Sequence, residues 1–178
     1  MGEGCGRDFE VNDKDYESEK ARMSYVGDLR RKIGHDEYIG VGAGVFIYKG
    51  REVLLQKRRD NACWSMHAGG LEIGESVEEC AKRELLEETG LIANSMKLLG
   101  VFSGDGMRYT YPNGDRVCIV QVMYTCDDYS GTMHVQEDEA LELKWFDIDC
   151  IPSLISPPDQ KAFASFLEFM KTKIQKNG

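Results

Sequence analysis

An α+β domain or a layered α/β/α sandwich, rather than a strict strand–helix alternation, is the fold class this sequence predicts. Three observations predict it. At 178 residues the chain has room for one domain that buries its own core. Its strand and helix patterns come in mixed order (hairpin, loop, helix, several strands, last helix) rather than in strict strand–helix alternation. Hydrophobic residues at 42% beside charged residues at 30% match an average globular composition, which argues against wholesale disorder.

The elements follow in order. Residues 1–20 are polar and acidic and read as an N-terminal arm, leaving 21–178 as a single domain. The arm lacks the apolar run of a secretory signal. From Glu19 to Lys32 the pattern is helical: Met23, Val26, Leu29 or Arg30, and Ile33 recur every three to four residues, and Gly34 can end the helix. Tyr38 to Tyr48 reads as a buried strand. Its Gly42 and Gly44 lie inside the strand with no helix after them, so close packing explains them better than a dinucleotide fingerprint. Lys49-Gly50 is a turn into a second strand, Glu52 to Lys57, and the two suggest a hairpin.

After a loop at Asp60-Asn61 comes a short extended piece, Trp64 to Ala68, then glycines at 69, 70 and 74. Ser76 is a plausible N-cap, with Glu78 and Glu79 in the first turn, for a helix that runs to about Thr89 and stops at Gly90. Lys97 to Ser103 reads as a strand. Tyr109 to Tyr111 and Val117 to Thr125 read as a hairpin across Asn113-Gly114, and Leu141 to Phe146 as a further strand. Pro157-Pro158 can open a last helix, whose stripe of Phe163, Phe166, Leu167, Met170 and Ile174 is a packing face.

Charge narrows the function. Twenty-two Lys and Arg against 31 Asp and Glu give a net charge of −9. Nucleic-acid polymers and anionic membranes call for the opposite sign, and no apolar run approaches the ~20 residues of a membrane span. Cysteines at 5, 63, 80, 118, 126 and 150 form neither Cys-x-x-Cys nor a zinc pattern; with no signal segment, reduced thiols in the cytoplasm are expected. His35, His67 and His134 are scattered and read as structural or surface residues.

The chemistry concentrates between Ala68 and Leu91, where seven glutamates fall between Glu72 and Glu88 against two bases, Lys82 and Arg83. Glu84, Glu87 and Glu88 are related by three and four residues and share a helix face. Val77, Cys80, Ala81 and Leu85 mark the apolar side of that helix. Glu84 and Glu88 fall within its arc and Glu87 beside it. An Arg-Glu-x-x-Glu-Glu stretch alone is usually a solvated surface helix. Carboxylates on the inward arc repel one another and lose hydration, and a divalent cation relieves both. All-oxygen ligands favour Mg²⁺ or Mn²⁺ over zinc. Gly69 and Gly70 let backbone approach the ion.

Gly69, Glu75, Arg83-Glu84-Leu85, Glu87-Glu88 and Gly90-Leu91 stand at the nine fixed positions of the signature box of the Nudix hydrolases, at its spacing, and the chain resembles that family from about Tyr25 onward. The resemblance implies an α/β/α sandwich with a mixed β-sheet between helices, and Mg²⁺- or Mn²⁺-dependent hydrolysis of a nucleoside diphosphate linked to another moiety: ADP-ribose, a nucleoside triphosphate or a dinucleoside polyphosphate. The products are a nucleoside monophosphate and the phosphorylated remainder. It implies Glu84, Glu87, Glu88 and the Ala68 carbonyl as metal ligands, and Arg83 as an orienting ion-pair partner of the glutamates. Glu87 or Glu139 is the general base, with Glu137 and Asp138 near enough to compete with Glu139. Tyr109 and Tyr111 are candidates to stack on the base, although cross-strand packing also accounts for them. The chain departs from the family's frequent Pro-Gly-Gly with His67-Ala68-Gly69. Ala-Gly there is reminiscent of ADP-ribose pyrophosphatases, while Tyr109 resembles a feature of dinucleoside polyphosphate hydrolases. Two alternatives are a catalytically silent nucleotide sensor and an isopentenyl-diphosphate-isomerase-like enzyme using Cys63. A homodimer is a further expectation.

Overall fold

The computed structural model describes residues 24–136 and 138–177. The arm expected over 1–20 and the expected helix start at Glu19 lie outside the described residues, as does Glu137. The chain divides into two units, Met1–Gly34 and His35–Gly178. In the first, helix α1 (Tyr25–Ile33) opens at Ser24, whose hydroxyl accepts a hydrogen bond from the Gly27 N–H at 3.0 Å, and it closes at Gly34, whose N–H returns to the Arg30 carbonyl.

Among its described residues the second unit holds eight strands and two α-helices. Strand β1 (Tyr38–Lys49) is central: it runs parallel to β7 (Arg116–Gly131) from Tyr38↔Val117 to Ile47↔Cys126. On its other edge it pairs antiparallel with β4 (His67–Gly70), from Gly42↔Gly70 to Val45↔His67. A Cβ on Gly44 would stand 2.3 Å from the Ala68 Cβ, so close packing does explain that glycine. The expected hairpin of β1 with β2 (Glu52–Arg58) forms only at its mouth, with Tyr48↔Val53 and Lys49↔Glu52. Beyond it β2 leaves to pair with β8 (Ala140–Asp147) and with β3 (Trp64–Ser65), and β4 takes the vacated edge.

Strand β5 (Leu91–Phe102) pairs antiparallel with β7 and is longer than the expected Lys97–Ser103. Its first residues alternate buried and exposed, but Asn94 and Ser95 disguise the pattern, and three register shifts break the ladder. β7 likewise outruns the expected Val117–Thr125. The hairpin of β6 (Arg108–Thr110) with β7 forms as expected, Tyr109 opposite Val117.

Helices α2 (Val77–Thr89) and α3 (Gln160–Asn177, after a 3-10 turn at Pro157–Asp159) cover opposite faces. Neighbouring strand residues point to opposite sides. Val45 and Ile47 of β1 with Leu54 of β2 join Cys80, Ala81 and Leu85 of α2. Phe46, Tyr48, Val53 and Leu55 join Ala162, Phe163, Phe166 and Met170 of α3, with the Phe46 and Phe166 rings stacked at 4.3 Å. A strand buried on both faces shows no polar alternation, which is why Val45 to Tyr48 is continuously apolar.

Candidate active site

Helix α2 carries the glutamates, and its ends fix their position. At the start the Ser76 hydroxyl accepts from the Glu79 N–H at 3.2 Å, and the Glu79 carboxylate accepts from the Ser76 N–H at 2.8 Å, a reciprocal capping box. At the end Gly90 takes a left-handed φ of 72° and its N–H returns to the Leu86 carbonyl.

Arg83 is the hub. Its Nε donates to Glu75 at 2.7 Å and its Nη2 to the other Glu75 oxygen at 2.9 Å, a bidentate pair. The same Nη2 reaches the Gly70 carbonyl at 3.0 Å, and Nη1 donates to Glu84 at 2.5 Å and lies 3.7 Å from Glu87. The Glu75 carboxylate is drawn below its usual range by Arg83. One guanidinium therefore ties the loop before the helix to two of the three glutamates. Room for Glu84 depends on Gly69, where a Cβ would lie 2.1 Å from the Glu84 carboxyl carbon.

The glutamates are unevenly exposed: Glu88 is 4% exposed, Glu84 and Glu87 more open. Burial pushes the Glu88 carboxyl up to about 8. The Gln56 side chain opposes this, the negative charge of Glu139 adds to it, and Arg58 and the Ala68 backbone oppose it. Burial likewise lifts Glu84 to about 7, with the charges of Glu88 and Glu87 adding and Arg83 opposing. His67, fully buried, lies with Nδ1 3.3 Å from Glu88 Oε2, yet neither of its ring nitrogens nor Glu88 Oε2 is aligned in a hydrogen bond. Burial drops the imidazole to about 4, offset slightly by the Leu54 backbone.

These observations fit a divalent cation. Two carboxyls held near neutrality by burial and mutual repulsion, one with an orphaned buried oxygen, are what an added positive charge stabilises. Backbone alternation along β4 turns the Ala68 carbonyl to the same edge as that of Gly70, the edge Arg83 reaches. Among the described residues no three acidic, histidine or cysteine side chains already form a ligand cluster, because Arg83 draws Glu84 and Glu87 toward itself.

Beyond Glu88 the site continues across β2. Glu139 occupies the turn before β8, its carbonyl accepting from the Arg59 N–H at 2.9 Å, and its charge reaches Glu88. Asp138 is exposed on the same turn. Arg58 holds Asp60 through two hydrogen bonds of 2.8 Å. Tyr109 and Tyr111 meet edge to face at 4.9 Å, and Asn61 donates to the Tyr109 hydroxyl at 3.2 Å. The charge of Arg58 acts on both Tyr111 and Glu88, so the tyrosine pair and the glutamates flank the same arginine.

A sequence model of the NUDIX domain matches residues 39–166. The chain belongs to the Nudix family. This Nudix chain is 36% identical over 112 residues to a protein named ADP-ribose pyrophosphatase from Methanocaldococcus jannaschii, over 61% of the chain and 62% of that protein. It is 31% identical to the NAD-capped RNA hydrolase NudC of Pseudomonas aeruginosa, over 69% of the chain and 40% of that protein. It thus spans about 40 to 62% of the length of these curated relatives. Among solved structures, the MutT NUDIX hydrolase of Burkholderia pseudomallei superposes with a TM-score of 0.63 at 27% identity, covering 72% of the chain and 98% of that structure.

Three buried groups in this Nudix site carry no clear sequence signal. His67, read as structural or surface, abuts Glu88. Gln121 donates to Asp159 at 3.4 Å with its own Oε1 unpartnered, and burial lifts Asp159 to about 7. Asp159 follows the two prolines that read as opening the last helix. Cys63 is a buried residue in the β2–β3 loop. The depression of about 390 Å³ beside Tyr48, Arg51 and Lys173 is lined by none of the site glutamates.

Proposed function

We propose that this chain hydrolyses the pyrophosphate linkage of a nucleoside diphosphate derivative, with Mg²⁺ or Mn²⁺, releasing a nucleoside monophosphate and the phosphorylated remainder. The observation that carries the reading is the inward-facing glutamate cluster of α2, two of its carboxyls raised toward neutrality around an arginine that is already spoken for.

Glu84, Glu87, Glu88 and the Ala68 carbonyl would hold the cation. Bound there, it would neutralise charge on the diphosphate oxygens and acidify water. Arg83 is a positioning residue: its donors are committed to Glu75, Glu84 and Gly70, so it does not reach substrate. Glu87 or Glu139 takes the proton of the attacking water, each being exposed enough to exchange it. Tyr109 and Tyr111 supply an aromatic wall for the base, beside Arg58 and Asp60. The relative named ADP-ribose pyrophosphatase supports ADP-ribose as a substrate, with dinucleoside polyphosphates and nucleoside triphosphates in the same chemical class. A net charge of −9 disfavours a long nucleic-acid substrate. Free thiols at Cys63, Cys80, Cys118, Cys126 and Cys150 support a cytoplasmic setting; no described helix is long and apolar enough to cross a membrane.

The test is a panel of ADP-ribose, nucleoside triphosphates and dinucleoside polyphosphates, with Mg²⁺, Mn²⁺ or chelator, and the products identified by chromatography. Metal-dependent release of a nucleoside monophosphate is expected. Nucleotide binding with no product from any of them would replace the hydrolase with a sensor.

A further inference from the structure

We infer that His67 is a positioning residue for the metal site: its Nδ1–H fixes one oxygen of Glu88 and so turns the other toward the cation, beside the carbonyl of Ala68. The inference rests on the metal-dependent reading above and deepens it.

The geometry starts from a mismatch. His67 is 0% exposed, and the residue it faces across the β4–β1 ladder is Val45, a core residue. A leucine would fill such a place with no polar atom to satisfy. Instead the imidazole brings two nitrogens into a dry interior, and neither is well aligned with a hydrogen-bond partner. The third orphan nearby is Glu88 Oε2, 3.3 Å from Nδ1. A small rotation of either side chain aligns the pair and satisfies a donor and an acceptor together.

Two acceptors flank the ring, the Leu54 backbone and Glu88. A neutral imidazole has one proton, and with a cation holding Glu88 ionised a bond to that carboxylate would be the stronger choice, because it is charge-assisted. Ala68 adds its backbone to the hold on Glu88, so consecutive residues of one strand grip the same carboxylate. A proline at position 67, as in the family's frequent Pro-Gly-Gly, has no side-chain donor for this. A ligand held by an outer partner loses less freedom when the ion binds, and removing such a partner weakens metal affinity by about tenfold or more.

The experiment measures Mn²⁺ binding to substrate-free protein, from the resonance signal of free Mn²⁺, in wild type and in His67→Leu, His67→Asn and His67→Gln. Melting without metal is recorded alongside. Asparagine sets its amide donor near the place of Nδ1; glutamine sets its donor near that of Nε2. Leucine should weaken Mn²⁺ binding by about tenfold while melting no lower than wild type, and asparagine should restore most of the affinity where glutamine does not. In turnover assays the leucine variant should need about tenfold more metal for half-maximal rate, with a smaller change in kcat at saturation. Wild-type affinity in the leucine variant would overturn the inference, as would asparagine binding no better than leucine. If leucine prevents folding, the asparagine–glutamine comparison decides alone. Failure of wild type to bind Mn²⁺ would overturn both the inference and the hydrolase reading; weakened binding with no turnover of any substrate would overturn the hydrolase reading only.

Discussion

Glu88 is the side chain on which burial and charge conflict most. Its carboxyl lies at 4% exposure with one oxygen unpartnered, so the ionised form is tolerable only beside a cation. Glu88→Gln keeps the volume and removes the charge. It should lower kcat by about a thousandfold in the product assay, while the metal-free protein melts no lower than wild type. A large drop in melting temperature would make the residue structural instead. Gly69 tests the same site from the other side. In Gly69→Ala the new Cβ would fall 2.1 Å from the Glu84 carboxyl, the flexible end of a side chain. The carboxylate should swing away while the fold survives, so Mn²⁺ binding should weaken severalfold or more with unchanged circular dichroism. Undiminished binding in that variant would show that Glu84 is no ligand.

The end of helix α2 is tied to the start of β5 and to His134, which precedes Glu139 in the chain. The Thr89 hydroxyl accepts from the Leu91 N–H at 3.0 Å, the His134 N–H donates to the Thr89 carbonyl at 2.9 Å, and the His134 ring lies where a Cβ on Gly90 would be, 2.2 Å away. Gly90→Ala therefore combines a left-handed backbone with a direct clash. It should cost about 2 kcal/mol or more in urea unfolding and should also reduce activity, because the end of the glutamate-bearing helix and the His134 ring must move apart. Much of this architecture was legible beforehand. Ser76, Gly90 and the period of Val77, Cys80, Ala81 and Leu85 mark α2 from local chemistry, and the three-to-four spacing puts its glutamates on one face. What escaped is long-range. The brief hairpin of β1 with β2, the full reach of β5 and β7, and the burial of His67 and Asp159 depend on which distant strand lies alongside, and no local pattern encodes that.

For the whole molecule the buried ionisable groups set the response to pH. The folded carboxyls of Glu84, Glu88 and Asp159 are raised to about 7, 8 and 7, above their ordinary values. Each gives stability that is complete below the ordinary carboxyl range and is lost as pH rises through its folded value. His67, lowered from 6.5 to about 4, acts oppositely: its stability is present above 6.5 and is lost as pH falls toward 4. Three carboxyls outweigh one imidazole, so metal-free protein should melt at falling temperatures from pH 5.5 to 8. Mg²⁺ or Mn²⁺ should flatten that fall. A flat metal-free profile would mean that these carboxyls are not buried as described. The central ladder has a consequence for synthesis. β1 lies parallel to β7, joining Tyr38 to Val117, so a growing chain must release both helical-box and hairpin segments before its middle strand gains that neighbour. Until then Val45 to Ile47 waits with its β7-facing edge open, the kind of unpaired apolar strand that favours aggregation during synthesis.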